Sequence, residues 1–138
     1  MKILVTGSSG HLGEAMMRTL TARGETPVGL DILPSPYTHI VGSVSDPEVV
    51  AMAMDGVEQV YHTATLHKPH VVTHEKADFL NTNINGTLTL LEAAVAQNVS
   101  AFVFTSTTSV FGDALRPKAY EPAAWITEDT QPLVKNIY

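Results

Sequence analysis

The feature that most constrains this chain is a glycine-rich turn between its first apolar run and its first amphipathic run. Residues 3–5 are apolar and two of them are β-branched, which predicts a buried parallel strand, and the pattern G-x-x-G-x-x-G follows over residues 7–13. Such glycines permit a tight turn, close approach of the backbone to a pyrophosphate, and close helix–strand packing. The free N–H groups of the following helix favour an anion. The predicted dinucleotide contacts in this turn are Gly7, Gly10, His11, Leu12 and Gly13.

Strand and helix patterns alternate along the rest of the chain. Helices are predicted over residues 11–23, 46–54 and 77–97, and further strands over 28–31, 39–41, 59–62 and 101–105. The first helix is expected to bury Leu12, Met16 and Leu20, and the fifth strand to be buried on both faces. This alternation predicts an α/β fold with a doubly wound parallel sheet (a Rossmann fold) of about five strands in the order 3-2-1-4-5.

Composition excludes several classes of function. The net charge of −6 argues against nucleic-acid or anionic-lipid partners, and the absence of cysteine excludes disulfides, thiolate zinc sites and thiol nucleophiles. No apolar stretch is free enough of polar residues to span a membrane, and the N-terminal apolar run is too short for a signal peptide. We therefore expect a cytoplasmic globular domain.

An acidic residue indicates which dinucleotide is bound. Asp31 stands 18 positions after Gly13, at the predicted tip of the second strand. A carboxylate there accepts hydrogen bonds from ribose hydroxyls and repels a 2′-phosphate. The chain also has no Lys or Arg between Arg23 and Lys68, so that a 2′-phosphate would lack a local cation. Both observations predict NAD rather than NADP as the cofactor.

Four motifs together resemble the extended short-chain dehydrogenase/reductase family. They are the glycine turn with Asp31, His-Thr-Ala-Thr at 62–65, Asn-Ile-Asn-Gly-Thr-Leu at 83–88, and Phe-Thr-Ser-Thr-Thr-Ser-Val-Phe-Gly at 104–112. By pattern the chain is most similar to NAD-dependent sugar-nucleotide epimerases and dehydratases, over essentially its whole length. The resemblance implies hydride transfer to and from nicotinamide, a nucleotide-sugar substrate, and a tyrosine as the acid–base group.

The family's tyrosine has a lysine four positions later, which lowers the pKa of a phenol whose ordinary value is about 10. Tyr37, Tyr61 and Tyr120 lack that lysine, whereas Tyr138 follows the hydroxyl-rich segment and is the last residue. The resemblance implies Tyr138 as the catalytic residue and Thr107 as the hydroxyl that bridges it to substrate. It leads us to expect that residues 1–138 are a truncated dinucleotide-binding domain, without the substrate-binding domain and inactive alone.

Further cofactor contacts are implied by position in the family motifs. They are Ile32, Ser43, Val44, Thr63, Ala64, Thr65, His67, Asn83 and Thr105. Ser43 replaces an acid that contacts adenine in many relatives, and Asn83 is expected to hold backbone of the loop and of the fifth strand. His67 or the following Lys68 takes the place of a lysine near the nicotinamide ribose.

Several alternatives remain open at this stage. The chain could be a non-catalytic NAD(H)-binding redox sensor of the same fold, or part of a steroid or alcohol dehydrogenase of the same family. His67, His70, His74 and Glu75 are expected to be exposed or to face the cofactor, and no metal site is predicted. The helix over 77–97 has a stripe of apolar residues that either joins the core or forms a homodimer interface, as in relatives. The stripe comprises Leu80, Ile84, Leu88, Leu91 and Val95, widened by Leu90 and Ala94.

Overall fold

The computed structural model describes residues 1–138 and contains one parallel sheet of five strands. The strands are β1 (Lys2–Thr6), β2 (Thr26–Asp31), β3 (Ile40–Val41), β4 (Gln59–His62) and β5 (Ala101–Phe104). Their order in the sheet is β3-β2-β1-β4-β5 and all four pairings are parallel. The predicted fold class and strand order are confirmed.

The helices lie where the periodicity predicts them, within one or two residues. They are α1 (His11–Ala22), α2 (Pro47–Met54), α3 (Lys76–Phe79) and α4 (Gly86–Ala96). A π-helical turn (Leu80–Asn85) joins α3 and α4 into one continuous helix. Asp46 is the N-cap of α2, because its carboxylate accepts hydrogen bonds from the N–H groups of Glu48 at 2.9 Å and Val49 at 3.4 Å. Short 3₁₀ helices cover Lys68–Val72, Thr108–Phe111 and Asp113–Leu115.

The two faces of the sheet are covered by different helices, as in a doubly wound fold. On one face, Ile3 and Val5 of β1 pack against Met17 and Leu20 of α1. On the other face, alternate strand residues such as Leu4 and Val60 pack against α2 and α4. Side chains alternate along each strand, so that β1, between β2 and β4, is buried on both sides.

The buried stripe of α1 is displaced by one residue from the prediction. Leu12 is 43% exposed and Met16 is half-buried, whereas Gly13 and Met17 are buried together with Leu20. The cause is the close contact of the helix with the glycine turn. A Cβ at Gly13 would lie 1.9 Å from the Gly7 carbonyl oxygen, so the helix presents this glycine to the strand.

The apolar stripe of the long helix faces outward. Leu80, Ile84, Leu88, Leu91 and Val95 are each at least 42% exposed. The core side instead carries Gly86, Leu90 and Ala94, four residues apart, together with Phe79. Gly86 sets this orientation, because a Cβ at this position would lie only 2.6 Å from Val44 Cγ2. Of the two interpretations of this stripe, membership of the core is wrong for its five main residues.

The prediction that the fifth strand is buried on both faces is also wrong. Val103 is 46% exposed and Phe104 55% exposed. The reason is that β5 is an edge strand, paired only with β4, and α1 packs over β1 and β2 instead. The strand ends at Phe104, so Thr105 lies in the following loop.

Candidate cofactor-binding site

The glycine turn directly follows the central strand of the sheet. Gly7 has a φ of +74°, a conformation that glycine adopts without steric cost, and its N–H donates to the Leu30 carbonyl at 2.8 Å. The Gly10 N–H closes the turn on the Gly7 carbonyl at 3.0 Å. With Gly13 packed against the same carbonyl, three glycines bring the start of α1 against the end of β1.

The amino end of α1 has no side-chain cap. Gly10 precedes the helix in an extended conformation, and no side chain accepts a hydrogen bond from its first turn. His11 and Leu12 are exposed there. The first N–H groups of a helix have no partner within the helix, and together with the helix dipole they favour an anion. A pyrophosphate fits this uncapped end.

Asp31 joins the glycine turn to the end of β2. Its Oδ2 accepts the Ser9 N–H at 2.9 Å and its Oδ1 accepts the Leu33 N–H at 3.0 Å. A carboxylate oxygen has two lone pairs, so both oxygens can still accept from ribose hydroxyls. Ile32 is exposed next to it. The link between Asp31 and Ser9 was not predicted from the sequence.

A polar cluster follows β3 on the same side of the sheet. Ser43 Oγ lies 2.8 Å from Ser45 Oγ, and Asn81 Nδ2 donates to Ser45 Oγ at 3.0 Å. Ser43 is half-buried and Val44 is buried. Ser43 and Val44 were predicted from the sequence, whereas Ser45 and Asn81 were not, because only the fold brings Asn81 of the π-helical turn to this loop.

On the other side of β1, the loop after β4 is held by Asn83. Asn83 Oδ1 accepts the Leu66 N–H at 2.8 Å and its Nδ2 donates to the Leu66 carbonyl at 2.8 Å. Thr65 Oγ1 also donates to Asn83 Oδ1 at 3.1 Å. The Asn83 side chain therefore binds the loop but makes no hydrogen bond to β5, in contrast to the expectation.

The turn between β4 and this loop is tied to β1. Thr63 Oγ1 donates to the Thr6 carbonyl at 2.7 Å, and the N–H groups of Thr63 and Ala64 both donate to Thr6 Oγ1 at 3.2 Å. Thr6 is fully buried. The predicted contacts Thr63, Ala64 and Thr65 thus lie next to the glycine turn, where a Cβ on Gly7 would come within 2.8 Å of the Ala64 nitrogen.

His62, at the end of β4, is a buried residue that belongs to the motif at 62–65 but received no role from the sequence. Its Nδ1 lies 2.7 Å from Thr6 Oγ1 and its Nε2 lies 3.0 Å from Thr87 Oγ1. Burial lowers the pKa of His62 to about 4, because the interior disfavours the charged ring. Its partners Thr6 and Thr87 are distant in sequence, so the strand sequence gave no sign of these contacts.

The predicted catalytic residues lie beyond β5. Thr107 is half-buried and its Oγ1 accepts the Ser109 N–H at 3.1 Å, so its hydroxyl proton remains free to donate. Thr105 is exposed. Tyr138 is half-buried and donates its N–H to Asn136 Oδ1 at 3.0 Å, with no hydrogen bond to Thr107.

The final segment is attached to the end of the β5 region through Gly112. The Asp113 N–H donates to the Leu133 carbonyl at 3.0 Å, and the Leu133 N–H donates to the Phe111 carbonyl at 3.0 Å. Lys135 Nζ lies 3.2 Å from Asp113 Oδ1. Gly112 has a φ of +56°, and a Cβ there would lie 1.9 Å from the Leu133 carbonyl oxygen. These contacts hold the run that leads to Tyr138 beside the hydroxyl-rich loop.

Three histidines are grouped in the segment after Leu66. The ring centroids of His67 and His70 are 4.6 Å apart and those of His70 and His74 are 5.1 Å apart, both edge to face. The His67 N–H donates to His70 Nδ1 at 2.9 Å. Burial, and then the charges of His67 and His74, lower the pKa of His70. His67 and His74 are exposed.

The parallel sheet order, the glycine turn and the acid at the tip of β2 are together typical of the class of dinucleotide-binding domains. Comparison with known sequences specifies it further. The profile of the NAD dependent epimerase/dehydratase family matches residues 3–133, and the chain belongs to that family. The resemblance stated from the motifs is confirmed, and NAD is the cofactor class of the family, as predicted.

Individual relatives are similar over most of this chain. It is 34% identical over 119 residues to a 3-beta-hydroxysteroid dehydrogenase of Mycolicibacterium neoaurum, covering 79% of this chain and 32% of that protein. It is 32% identical to a UDP-glucose 4-epimerase of Rhizobium meliloti, covering 80% and 36%. The chain thus spans about a third of the length of these curated relatives.

A solved structure is also similar. The short-chain dehydrogenase/reductase superfamily protein of Agrobacterium tumefaciens with bound NAD superposes with a TM-score of 0.84 at 31% identity. The match covers 100% of this chain and 40% of that one. Separately, none of the helices in this structure combines the length and the apolar character that crossing a membrane requires.

Proposed function

We propose that this chain binds NAD across the carboxyl ends of its strands. The pyrophosphate lies against the uncapped start of α1, which the close packing of Gly7 and Gly13 holds at the end of β1. The adenosine ribose bonds to Asp31, and the adenine lies beside Ser43 and Val44. The observation that carries this proposal is the Asp31 carboxylate, which is fixed to the glycine turn through Ser9 at 2.9 Å.

The nicotinamide half of the cofactor extends over the other side of β1. Because β4 and β5 follow β1 on that side, it lies near the loop of Thr63, Ala64, Thr65 and His67 and near Thr105. Asn83 fixes that loop through Leu66. NAD, when bound, accepts and returns a hydride at its nicotinamide ring.

The reaction that we propose for the protein is epimerisation or dehydration of a nucleotide-activated sugar. Tyr138 takes the proton from a sugar hydroxyl or returns it, and Thr107 orients that hydroxyl with its free O–H. Similarity to the UDP-glucose 4-epimerase supports this substrate class. The second candidate is oxidation of a hydroxysteroid, which the similarity to the 3-beta-hydroxysteroid dehydrogenase supports.

The two candidate reactions differ in where the electrons remain. A steroid dehydrogenase leaves the hydride on the cofactor, so NADH accumulates in proportion to the oxidised steroid. An epimerase returns the hydride to the sugar, so the epimer appears without accumulation of NADH. Because residues 1–138 are expected to be inactive alone, the assay uses this chain within a protein that includes a substrate-binding domain. NAD is supplied with either a 3β-hydroxysteroid or a UDP-hexose, and NADH absorbance and chromatography of the sugar nucleotide separate the two reactions.

We also propose that the protein forms a homodimer through its long helix. The exposed stripe of Leu80, Ile84, Leu88, Leu91 and Val95 is continuous along one side of that helix. A stripe of this kind supports packing against a second copy. Sedimentation of the protein and of its Leu88→Lys variant tests this, with a dimer expected for the former and a monomer for the latter.

Calorimetric titration with NAD and NADP tests the cofactor proposal. We expect tighter binding of NAD, and a smaller preference in Asp31→Asn, which loses the negative charge that repels a 2′-phosphate. Asp55→Asn is the matched control, because Asp55 is an exposed acid beside Lys2 at the opposite end of the sheet. Tighter binding of NADP by the unmodified protein would contradict the choice of NAD, and binding of neither would contradict the site.

A further inference from the structure

We infer that His62 is a positioning residue. It belongs to a chain of hydrogen bonds, all donated in the same direction, that links β1 to the loop on the nicotinamide side of the proposed NAD site. The inference rests on the proposed binding of NAD. It concerns Thr6, His62, Thr87 and Asn83, of which sequence reasoning assigned a role only to Asn83.

The direction of the hydrogen-bond chain follows from the bonds that the Thr6 hydroxyl makes. Its Oγ1 accepts two N–H groups at 3.2 Å, that of Ala64 and that of Thr63, which is shared with the Thr6 carbonyl, also at 3.2 Å. A hydroxyl oxygen has two lone pairs, so both are used and its own proton must donate elsewhere. The acceptor is His62 Nδ1 at 2.7 Å. Nδ1 therefore carries no proton, and the neutral ring carries its proton on Nε2.

The hydrogen-bond chain continues from the other ring nitrogen of His62, Nε2. His62 Nε2–H donates to Thr87 Oγ1 at 3.0 Å, and the Thr87 hydroxyl donates to the Asn83 carbonyl at 2.7 Å. Every donor points from β1 toward the long helix. No buried side-chain nitrogen or oxygen in the molecule lacks a hydrogen-bond partner, so the chain has no interruption.

The last member of the hydrogen-bond chain, Asn83, holds the loop after β4. The Asn83 backbone lies in the π-helical turn, a wide turn that is found in many proteins at functional sites. Thr87 holds that backbone through its carbonyl, and the Asn83 side chain holds Leu66 through two hydrogen bonds of 2.8 Å. Loss of the Thr87 hydroxyl therefore loosens the support of residues 65–67.

The strand order indicates which half of the cofactor is affected. The residues for adenosine, Asp31 and Ser43, follow β2 and β3 on one side of β1, and the loop of Leu66 follows β4 on the other side. A dinucleotide that lies across β1 has its nicotinamide ribose over the second loop. The hydrogen-bond chain through His62 ends, by way of the Asn83 side chain, at the loop on the nicotinamide side.

The surroundings of His62 keep the ring in place and neutral. Phe102 packs against it edge to face, with ring centroids 6.0 Å apart, and the Phe104 ring is 5.6 Å away. A protonated His62 ring would carry a hydrogen on Nδ1 that faces the hydroxyl hydrogen of Thr6, and two donors cannot form a hydrogen bond with each other. Histidine supplies an acceptor and a donor on opposite sides of one rigid ring.

The test compares the affinities for NAD and for ADP, which lacks the nicotinamide half. Thr87→Val keeps the shape of the side chain and removes the hydroxyl. We expect it to weaken NAD binding roughly 5- to 10-fold, the effect of one lost hydrogen bond, with ADP binding unchanged. Thr87→Ser restores the hydroxyl and should bind NAD as the unmodified protein does.

Thr89→Val is the matched control. Thr89 lies on the same helix and its hydroxyl also donates to the carbonyl four residues earlier, Asn85, at 2.9 Å, but it does not contact His62. We expect both affinities to be unchanged. An equal loss for NAD and ADP in Thr87→Val, or no loss in either, overturns the inference.

A second measurement requires neither the variant nor the cofactor. Nitrogen-15 NMR of the histidine rings in the unmodified protein should show His62 protonated on Nε2 and unprotonated on Nδ1 at neutral pH. The opposite tautomer, or a protonated ring, overturns the inference even if Thr87→Val does not fold. Absence of NAD binding by the unmodified protein instead contradicts the proposed function, and the NMR result still decides the direction of the chain.

Discussion

The part of the molecule around β1 and the part from β5 onward differ in how completely other residues of the protein enclose them. Around β1, the polar side chains of Thr6, Ser8 and His62 are buried and hydrogen-bonded. From β5 onward, large apolar side chains are exposed, including Phe104 and, at 92% exposure, Trp125. The 138 residues thus build the proposed NAD site from their own contacts, whereas the region of Thr107 and Tyr138 stays open.

The difference has a simple origin in the arrangement of helices. The strands β1, β2 and β4 have neighbours on both edges, and helices α1 on one face with α2 and α4 on the other cover the centre of the sheet. Strand β5 has one neighbour and little cover on the face of Val103. Predictions about stability should therefore separate the two parts.

The largest expected effect compares a core leucine with an apolar residue of the open part. Leu90 is fully buried between α4 and the sheet, and Leu90→Ala should lower the free energy of unfolding by about 2–5 kcal/mol. Phe104→Ala removes a larger side chain that is 55% exposed, and should cost less than Leu90→Ala. Denaturant unfolding of both variants measures this. An equal or larger loss in Phe104→Ala would mean that the open part is covered.

The second effect is a dependence of stability on pH that arises in the enclosed part. The pKa of His62 is lowered from 6.5 to about 4 in the folded protein, so below pH 6.5 the unfolded chain binds a proton that the native one does not. Stability therefore falls as the pH drops from 6.5 toward 4, by about 3 kcal/mol in total from this residue.

Denaturant unfolding at several pH values in that interval tests this prediction. His62→Gln, which does not titrate, serves as the comparison. It should be less stable at neutral pH but lose less stability on acidification. Parallel pH profiles of the two proteins would show that His62 is not held neutral by burial.

The third effect compares two glycines with equally close contacts. A Cβ at Gly13 or at Gly112 would lie 1.9 Å from a carbonyl oxygen, that of Gly7 or of Leu133. Gly13→Ala should destabilise the whole domain by about 1–3 kcal/mol and weaken NAD binding, because helix and strand cannot separate without loss of the core.

Gly112→Ala should act locally, because the segment of Leu133 can detach. Hydrogen exchange should show faster exchange of the Asp113 and Leu133 amides, whose hydrogen bonds hold that segment, with global stability changed by less than about 0.5 kcal/mol. If Gly112→Ala unfolds the protein as Gly13→Ala does, the two parts are not independent.

The fold was predictable because its signals are local. The glycine turn, Asp31 and the Asp46 cap each specify a turn or a helix end within a few residues, and the alternation of elements then specifies the sheet. The faces of the helices were less predictable. The apolar stripe of the long helix left open whether it faces the core or a second copy, and the close approach of Gly86 to Val44 places it outside.

The site was predictable only where one motif contains it. Contacts between distant segments, such as Asn81 with Ser45 or His62 with Thr87, depend on the assembled sheet and have no signature in sequence spacing. The register of β4 against β1 pairs His62 with Thr6. Burial and hydrogen bonding of His62 follow from that pairing.

The smallest expected effect lies in the loop between β4 and the long helix. Burial, followed by the charges of His67 and His74, lowers the pKa of His70, whose Nδ1 accepts the His67 N–H at 2.9 Å. Proton NMR titration of the ring should give a His70 midpoint below the ordinary histidine value of about 6.5. Replacing His67 and His74 with Gln removes two neighbouring positive charges and should raise that midpoint part of the way. Since burial is the larger cause, part of the shift should persist, and complete recovery would mean that the loop is as open as the region after β5.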